Sequence, residues 1–196
     1  MPNGDDPAPS VDGIAARLDA DFAAWRASLS FGEVAELRLY QSTGYLTLNT
    51  FLRNEQTGYD DEALARIDSR IETIDAGISK GRVASPLRVY RGLRDPEAVF
   101  GTDDLQTLIG EFTAEPAYLS TSLDPVVAVG MTITAASPLL IVLDVPAGQE
   151  AAWLGLAGDP KRRREFELLL PRRTRIKIEG TGTYSGTQSL EGSVVV

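Results

Sequence analysis

Residues 164–170 read Arg-Glu-Phe-Glu-Leu-Leu-Leu, and Pro171 follows. The run is apolar and of strand length, with two carboxylates at its mouth. Side chains in a strand alternate with a period of two, so the spacing predicts Glu165 and Glu167 on one face. Phe166 and Leu168 then point the other way, toward a core. Burying a carboxylate is costly. A pair at a strand start is therefore either solvated or poised to act on something. Paired carboxylates serve chemistry at a glycosidic carbon, where an oxocarbenium ion is stabilised and an acceptor deprotonated.

Working outward from this run, the second half of the chain reads as strands. Leu87-Arg88-Val89-Tyr90-Arg91 alternates and then meets Gly92. Residues 117–122, 150–154, 165–170 and 175–179 read as further strands, and 139–145 as a continuous apolar run suited to a central one. The tail, Val194-Val195-Val196, is predicted to pair as an edge strand. Residues 103–109 suggest a helical turn, and Asp124-Pro125 the start of a short helix.

The first half looks helical. Ile14, Leu18, Phe22, Trp25 and Leu29 recur at steps of three and four, one face of a helix. Ser30-Phe31-Gly32-Glu33 is a capping-box pattern. It opens a second helix through Val34, Leu37 and Leu39, which Gly44 is expected to stop. A third short helix carries Leu46, Leu48, Phe51 and Leu52. Asp60 or Asp61 caps a fourth, with Leu64, Ile67, Ile71, Ile74 and Ile78 on one face and Gly81 at its end. Helices first and strands after predict an α+β fold.

The chain has 196 residues, of which 43% are hydrophobic, which suits one compact domain. We expect a disordered leader over 1–12 and a single domain over 13–196, helical over 13–85 with its sheet core over 86–196. The acidic N-terminus does not read as a secretory signal, and no apolar run is long enough to span a membrane. There is no histidine and no cysteine. A Ser-His-Asp triad and a His/Cys zinc site are thereby excluded. Catalysis would fall to Glu, Asp, Tyr, Ser or Lys. A net charge of −9 argues against nucleic acid as a partner. Yet residues 161–177 hold eight of the 19 basic residues against two acids. That cluster is either a solvated strand pair or a basic rim around the Glu pair.

Two other pieces accompany the Glu pair. Arg91 stands beside Gly92 at a strand end. Arginine offers a rigid fork of donors suited to phosphate, and glycine lets a ligand approach the backbone. Ser120-Thr121-Ser122 puts three hydroxyls in a row, and alternation should bury one of them. A buried hydroxyl wants a partner, which a carboxylate of the Glu pair would serve.

The order Tyr90-Arg91-Gly92, Leu119-Ser120-Thr121-Ser122, Glu165-Phe166-Glu167 resembles the arginine–serine–glutamate class of mono-ADP-ribosyltransferases, which includes bacterial exoenzyme toxins and vertebrate ecto-enzymes. Tyr40, Tyr45 and Asn49, followed by Leu52-Arg53, resemble the segment that closes over NAD in the actin-modifying bacterial toxins. The likeness spans roughly residues 35–180. It implies N-terminal helices packed on a mixed, mainly antiparallel two-sheet core, with NAD as a substrate and no metal. It implies that Arg91 grips the NAD pyrophosphate side and that the Gly92 backbone meets the nicotinamide carboxamide. Tyr40, Tyr45, Asn49, Thr121 and Ser122 would complete the NAD site. Ser120 would hold Glu167, which would bond the nicotinamide ribose and stabilise the oxocarbenium ion. Glu165 would help deprotonate the acceptor. Relatives with Gln in place of the first Glu modify other side chains, so the likeness implies an arginine acceptor.

Two departures stand out. No arginine lies between Ser122 and Pro138, which leaves Arg91 more of the phosphate burden, and the loop before Glu165 lacks the aromatic that grips targets in relatives. The basic rim would instead attract an acidic protein surface or NAD phosphates. The likeness further implies a delivered toxin or effector that modifies a protein with an accessible arginine, with a possible immunity protein as partner. It would leave its producer by a non-classical route or by injection and act in the target-cell cytoplasm. An NAD glycohydrolase, or a non-catalytic NAD- or partner-binding module of the same fold, are the alternatives.

Overall fold

The structure, a computed structural model, describes residues 10–54 and 58–196. Ser10 caps the first helix, its hydroxyl accepting the Gly13 N–H at 3.2 Å. Helix α1 (Val11–Asp21) therefore begins inside the expected leader, whose residues 1–9 lie outside the described ones. The helix expected from Ile14 to Leu29 is interrupted at Phe22 and resumes as α2 (Ala23–Ser28). The apolar stripe survives the break. Leu18, Phe22, Trp25 and Leu29 are all buried, and the Phe22 and Trp25 rings meet edge to face.

Helix α3 (Phe31–Leu39) opens on the capping box. Ser30 Oγ accepts the Glu33 N–H, and Glu33 Oε2 accepts the Ser30 N–H at 2.7 Å. Gly44 does not stop this helix, contrary to the sequence expectation. The chain passes through a π turn (Tyr40–Gly44) straight into α4 (Tyr45–Leu52). Gly44 is there for space: a Cβ would lie 2.6 Å from Arg70 Nη2 and 2.9 Å from the Leu39 carbonyl oxygen. The wider turn buries Tyr40 and Gln41 together. Asp60 caps α5 (Asp61–Ser79) by accepting the Ala63 N–H at 2.8 Å, and Ile67, Ile71, Ile74 and Ile78 form its buried face.

The rest of the chain builds the sheet. In chain order come β1 (Leu87–Leu93), α6 (Pro96–Phe100), β2 (Phe112–Ala114), β3 (Leu119–Ser122) and α7 (Pro125–Gly130), which Asp124 caps. Then follow β4 (Leu139–Val145), β5 (Ala152–Trp153), α8 (Leu154–Ala157), β6 (Glu167–Leu170), β7 (Arg175–Tyr184) and β8 (Thr187–Val195). The strand order is β2-β7-β8-β4-β1-β3-β6-β5. Among the described strands, only β4 and β8 pair in parallel. The expected division into two sheets survives as a narrow joint: β1 meets β3 at one register pair, Tyr90↔Ser122. Hydrogen bonding across that joint makes the eight described strands one mixed, mainly antiparallel ladder.

The terminal strand is not an edge. Thr187–Val195 lies between β7 and β4, with Leu190 and Val194 buried. Gly192 permits this, because a Cβ there would lie 2.5 Å from the Lys177 carbonyl oxygen. The main apolar core joins helices to sheet, from Leu18 and Ile74 to Leu143, Trp153 and Leu168, while Ala128 of α7 packs with Leu140 and Val142 of β4 in a second, smaller cluster. The π turn and α4 face β1, β3 and the start of β6, and a cleft opens between them.

Candidate active site

The cleft has a volume of about 830 Å³. Its lining includes every residue singled out from the sequence: Tyr40, Tyr45, Asn49, Arg91, Gly92, Ser120, Thr121, Ser122, Glu165 and Glu167. Gln41, Arg53, Glu115 and Arg162 line it as well.

Glu167 starts β6 and is buried. Strand β3 pairs antiparallel with β6, with Ser120 opposite Leu169 and Ser122 opposite Glu167. Ser120 is thus a diagonal neighbour of Glu167 on the same face. Its hydroxyl donates to Glu167 Oε1 at 2.5 Å. Thr121 and Ser122 are both buried, and Thr121 is the one turned from the cleft carboxylates. It donates to the Leu168 carbonyl at 2.7 Å, not to a carboxylate as expected, because alternation turns it away from the Glu pair.

Glu165 does not belong to the strand, which corrects the reading of 165–170 as one extended run. It ends a 3₁₀ helix (Pro160–Glu165), and Phe166 adopts left-handed backbone at φ 48°. A bulky residue there costs on the order of 1–2 kcal/mol. Three bonds hold the turn: Ser122 Oγ to the Glu165 carbonyl at 2.7 Å, Leu123 N–H to the Phe166 carbonyl at 3.0 Å, and Phe166 N–H to the Arg163 carbonyl at 3.2 Å. The two carboxylates therefore reach the cleft from different elements. Glu165 is only partly buried, and its Oε1 accepts from Arg162 Nη1 at 2.8 Å.

Burial raises the Glu167 carboxyl to a pKa of about 7. Glu165 adds to the rise, and the Ser120 hydrogen bond, Gln41 and Arg162 oppose it. The consequence for stability has a definite sign. A carboxyl whose folded pKa lies above its unfolded value binds more protons when folded, so stability falls as pH rises through the window from about 4.5 to about 7. Glu167→Gln is therefore expected to raise the melting temperature at pH 8, by on the order of 5 °C, and to have little effect at pH 4.5. Differential scanning fluorimetry at both values measures it.

Arg91 is largely buried. Its Nη1 donates to the Ser120 carbonyl and its Nη2 to Glu115 Oε2, both at 3.1 Å. Burial lowers the pKa of its guanidinium, and Glu115 pushes it back up; the group stays charged. Glu115 also takes a bidentate pair from Arg53, at 2.9 and 3.0 Å, and the Ala117 N–H. Burial works against ionised Glu115, yet these partners hold its pKa below the ordinary carboxylate value. Arg91, to which the sequence reading gave more of the phosphate burden, thus has a second guanidinium beside it. Arg53 shares its counter-ion, so two guanidiniums of the cleft lining meet on the single carboxylate of Glu115. Sequence reasoning missed Glu115 altogether, because a single acid before Pro116 carries no local signal.

Gly92 is needed for close packing of a different kind from that expected. A Cβ would lie 2.2 Å from the Ala128 carbonyl oxygen of α7. On the helical wall, Asn49 Nδ2 donates to the Tyr40 hydroxyl at 3.1 Å, and Asn49 Oδ1 is buried without a partner. Burial, and then Glu167, raise the Tyr40 pKa, so its hydroxyl keeps its proton. Tyr45 is exposed at the cleft rim. Among the described residues, no group of three or more acidic, His or Cys side chains is arranged to hold a metal, and no helix is long and apolar enough to cross a membrane.

An arginine bonded to the Ser120 carbonyl and a buried glutamate held by the Ser120 hydroxyl line one cleft, walled by Tyr40 of the π turn and Tyr45 of α4. Residues 19–193 match the family ADP-ribosyltransferase exoenzyme, and the chain belongs to that family. It is similar to the Photox toxin of Photorhabdus laumondii, with 25% identity over 177 residues, covering 79% of this chain and 40% of that protein. The chain thus spans less than half the length of this curated relative. Its fold is similar to that of Plx2a, an ADP-ribosyltransferase toxin from Paenibacillus larvae, at 26% identity and a TM-score of 0.74, covering 93% of this chain and 96% of the other. The fold is also shared with BECa, an ADP-ribosylating toxin of a C. perfringens binary enterotoxin solved with NADH. That match has 18% identity and a TM-score of 0.76, and covers 93% of this chain and 48% of BECa.

Proposed function

We propose that this chain transfers ADP-ribose from NAD to an arginine side chain of a target protein. The observation that carries the reading is the pair of carboxylates with separate duties: Glu167 buried on Ser120, and Glu165 on its own segment at the mouth of the same cleft. The NADH in the BECa structure supports the dinucleotide as ligand.

In this reading the bond from the ribose C1′ to the nicotinamide nitrogen breaks, and its electron pair leaves with neutral nicotinamide. The ribose oxocarbenium ion forms beside Glu167, whose ionised carboxylate bonds the 2′-hydroxyl and offsets the positive charge. Arg91 and Arg53 hold the pyrophosphate. Gly92 offers its backbone to the nicotinamide carboxamide. Tyr40, Tyr45 and Asn49 close the helical wall over the ligand, and Thr121 and Ser122 fix the strand and the turn that aim both carboxylates. A guanidinium nitrogen of the target then bonds C1′ and gives up a proton to Glu165.

Incubation with labelled NAD and agmatine tests this. Label on agmatine is expected; free ADP-ribose alone would mean a glycohydrolase, and binding without turnover a non-catalytic module. Arg91→Lys keeps the charge but loses the fork, and should raise KM for NAD about tenfold with little change in kcat.

The chain's likeness to proteins named as toxins supports a delivered toxin or effector, an immunity protein is part of the same reading, and the basic segment before Glu165 fits an acidic target surface. Lys161 and Arg164 are exposed on the segment that carries Glu165. Reversing both to Glu is expected to raise KM for the protein target severalfold while leaving transfer to agmatine unchanged. Steady-state kinetics with both acceptors measures the difference.

A further inference from the structure

Gln41 is 4% exposed and sits in the π turn between α3 and α4. Its Oε1 accepts the Asp159 N–H at 2.7 Å. Asp159 caps the 3₁₀ helix that carries Arg162 and Glu165, its side chain accepting the Lys161 N–H. One bond from Gln41 thus anchors the start of the segment whose end presents Glu165. The fit is tight: a Cβ on Gly158 would lie 2.2 Å from Gln41 Oε1. The other end of the amide is different. Nε2 is buried and makes no hydrogen bond, in a cleft wall that it shares with Glu167. An unpaired buried donor is costly, and native structures rarely keep one without a use. Gln41 lies near enough to Glu167 to oppose the rise that burial imposes on its carboxyl. The other ionisable or charged groups facing Glu167 are Glu165 and Arg162 from the 3₁₀ segment, Arg91 from β1 and Tyr40 from the π turn.

We propose that Gln41 is a positioning residue with two ends: its carbonyl ties the Glu165 segment to the helical wall of the cleft, and its buried amide N–H is the second donor, beside Ser120, held for the ionised Glu167 carboxylate. The inference rests on the transferase reading. It makes the geometry of the acceptor side and the charge of the catalytic carboxylate depend on one side chain.

Gln41→Met is close to isosteric and lacks both polar atoms. Without the second donor, the acidic limb of kcat/KM for NAD cleavage should move to higher pH by on the order of one pH unit. Without the tether, transfer to agmatine should fall about tenfold more than NAD cleavage does. Gly158→Ala displaces the Gln41 carbonyl, and should reproduce the second effect whether or not Gln41→Met folds. Wild-type cleavage of NAD, with an unmoved limb and equal losses of cleavage and transfer in the variants, would overturn this inference alone. A wild-type protein that cleaves no NAD would overturn the transferase reading, and this inference with it.

Discussion

Glu167→Gln is expected to abolish NAD cleavage and transfer together, lowering kcat by on the order of a thousandfold. Glutamine has nearly the same shape, and its carbonyl still accepts the Ser120 hydroxyl that now lies 2.5 Å from Glu167 Oε1. What it lacks is negative charge beside the ribose as C1′ loses nicotinamide. In a buried site that charge acts through low dielectric and needs no reorganisation, so its loss weighs on the transition state far more than on NAD binding. KM for NAD should accordingly change little. The stability experiment separates chemistry from damage: a variant that melts higher than wild type at pH 8 and cleaves no NAD has lost its charge, not its fold. Near-wild-type kcat in this variant would mean that Glu167 is not the group facing the ribose. The same charge sets the pH profile. With a pKa of about 7, kcat/KM for NAD should decline as pH falls below neutrality.

Glu165→Gln is expected to divide the two reactions that Glu167→Gln loses together. Transfer to agmatine should fall about a hundredfold, while NAD hydrolysis stays within a few-fold of wild type. An arginine acceptor has a pKa above about 12, so its nitrogen attacks only as a base draws off a proton; water makes a smaller demand. The geometry suits this division. Glu165 is outside β6, bonded to Arg162 at the mouth, while Glu167 is buried on Ser120 within the sheet. Substitution at the first should leave the second where it is. Measuring labelled agmatine and free ADP-ribose in one reaction gives the ratio directly. Parallel losses in both products would assign Glu165 to NAD cleavage and remove the argument for an arginine acceptor.

Much of this site was legible in the sequence because its parts lie on elements with strong local rules. The Ser30–Glu33 capping box, the Asp60 cap and Asp124-Pro125 fix helix starts through side-chain acceptors a few residues away, and each forms as read. The apolar run at 139–145 is an inner strand because its length and composition leave little else. The failures share a physical origin: they depend on contacts distant in sequence. Gly44 looks like a helix stop until Arg70 is packed against it. The valine tail looks like an edge until β7 and β4 enclose it. Phe166 is the instructive case. Strand alternation put both glutamates on one face, and left-handed backbone at a phenylalanine is nothing that composition announces. The pair still reaches one cleft, but by a turn that Ser122 and Leu123 hold from the neighbouring strand. Glu115 is legible only in three dimensions, where Arg53 and Arg91 meet on it.

A crystal structure of the protein with bound NAD, or with an NAD analogue that resists cleavage, tests the convergence of these groups most directly. The account predicts the nicotinamide ribose 2′-hydroxyl within hydrogen-bond distance of Glu167, the pyrophosphate against Arg91 and Arg53, and Glu165 on the open side of C1′. A dinucleotide seated elsewhere, with Ser120 and Glu167 still bonded only to each other, would contradict it.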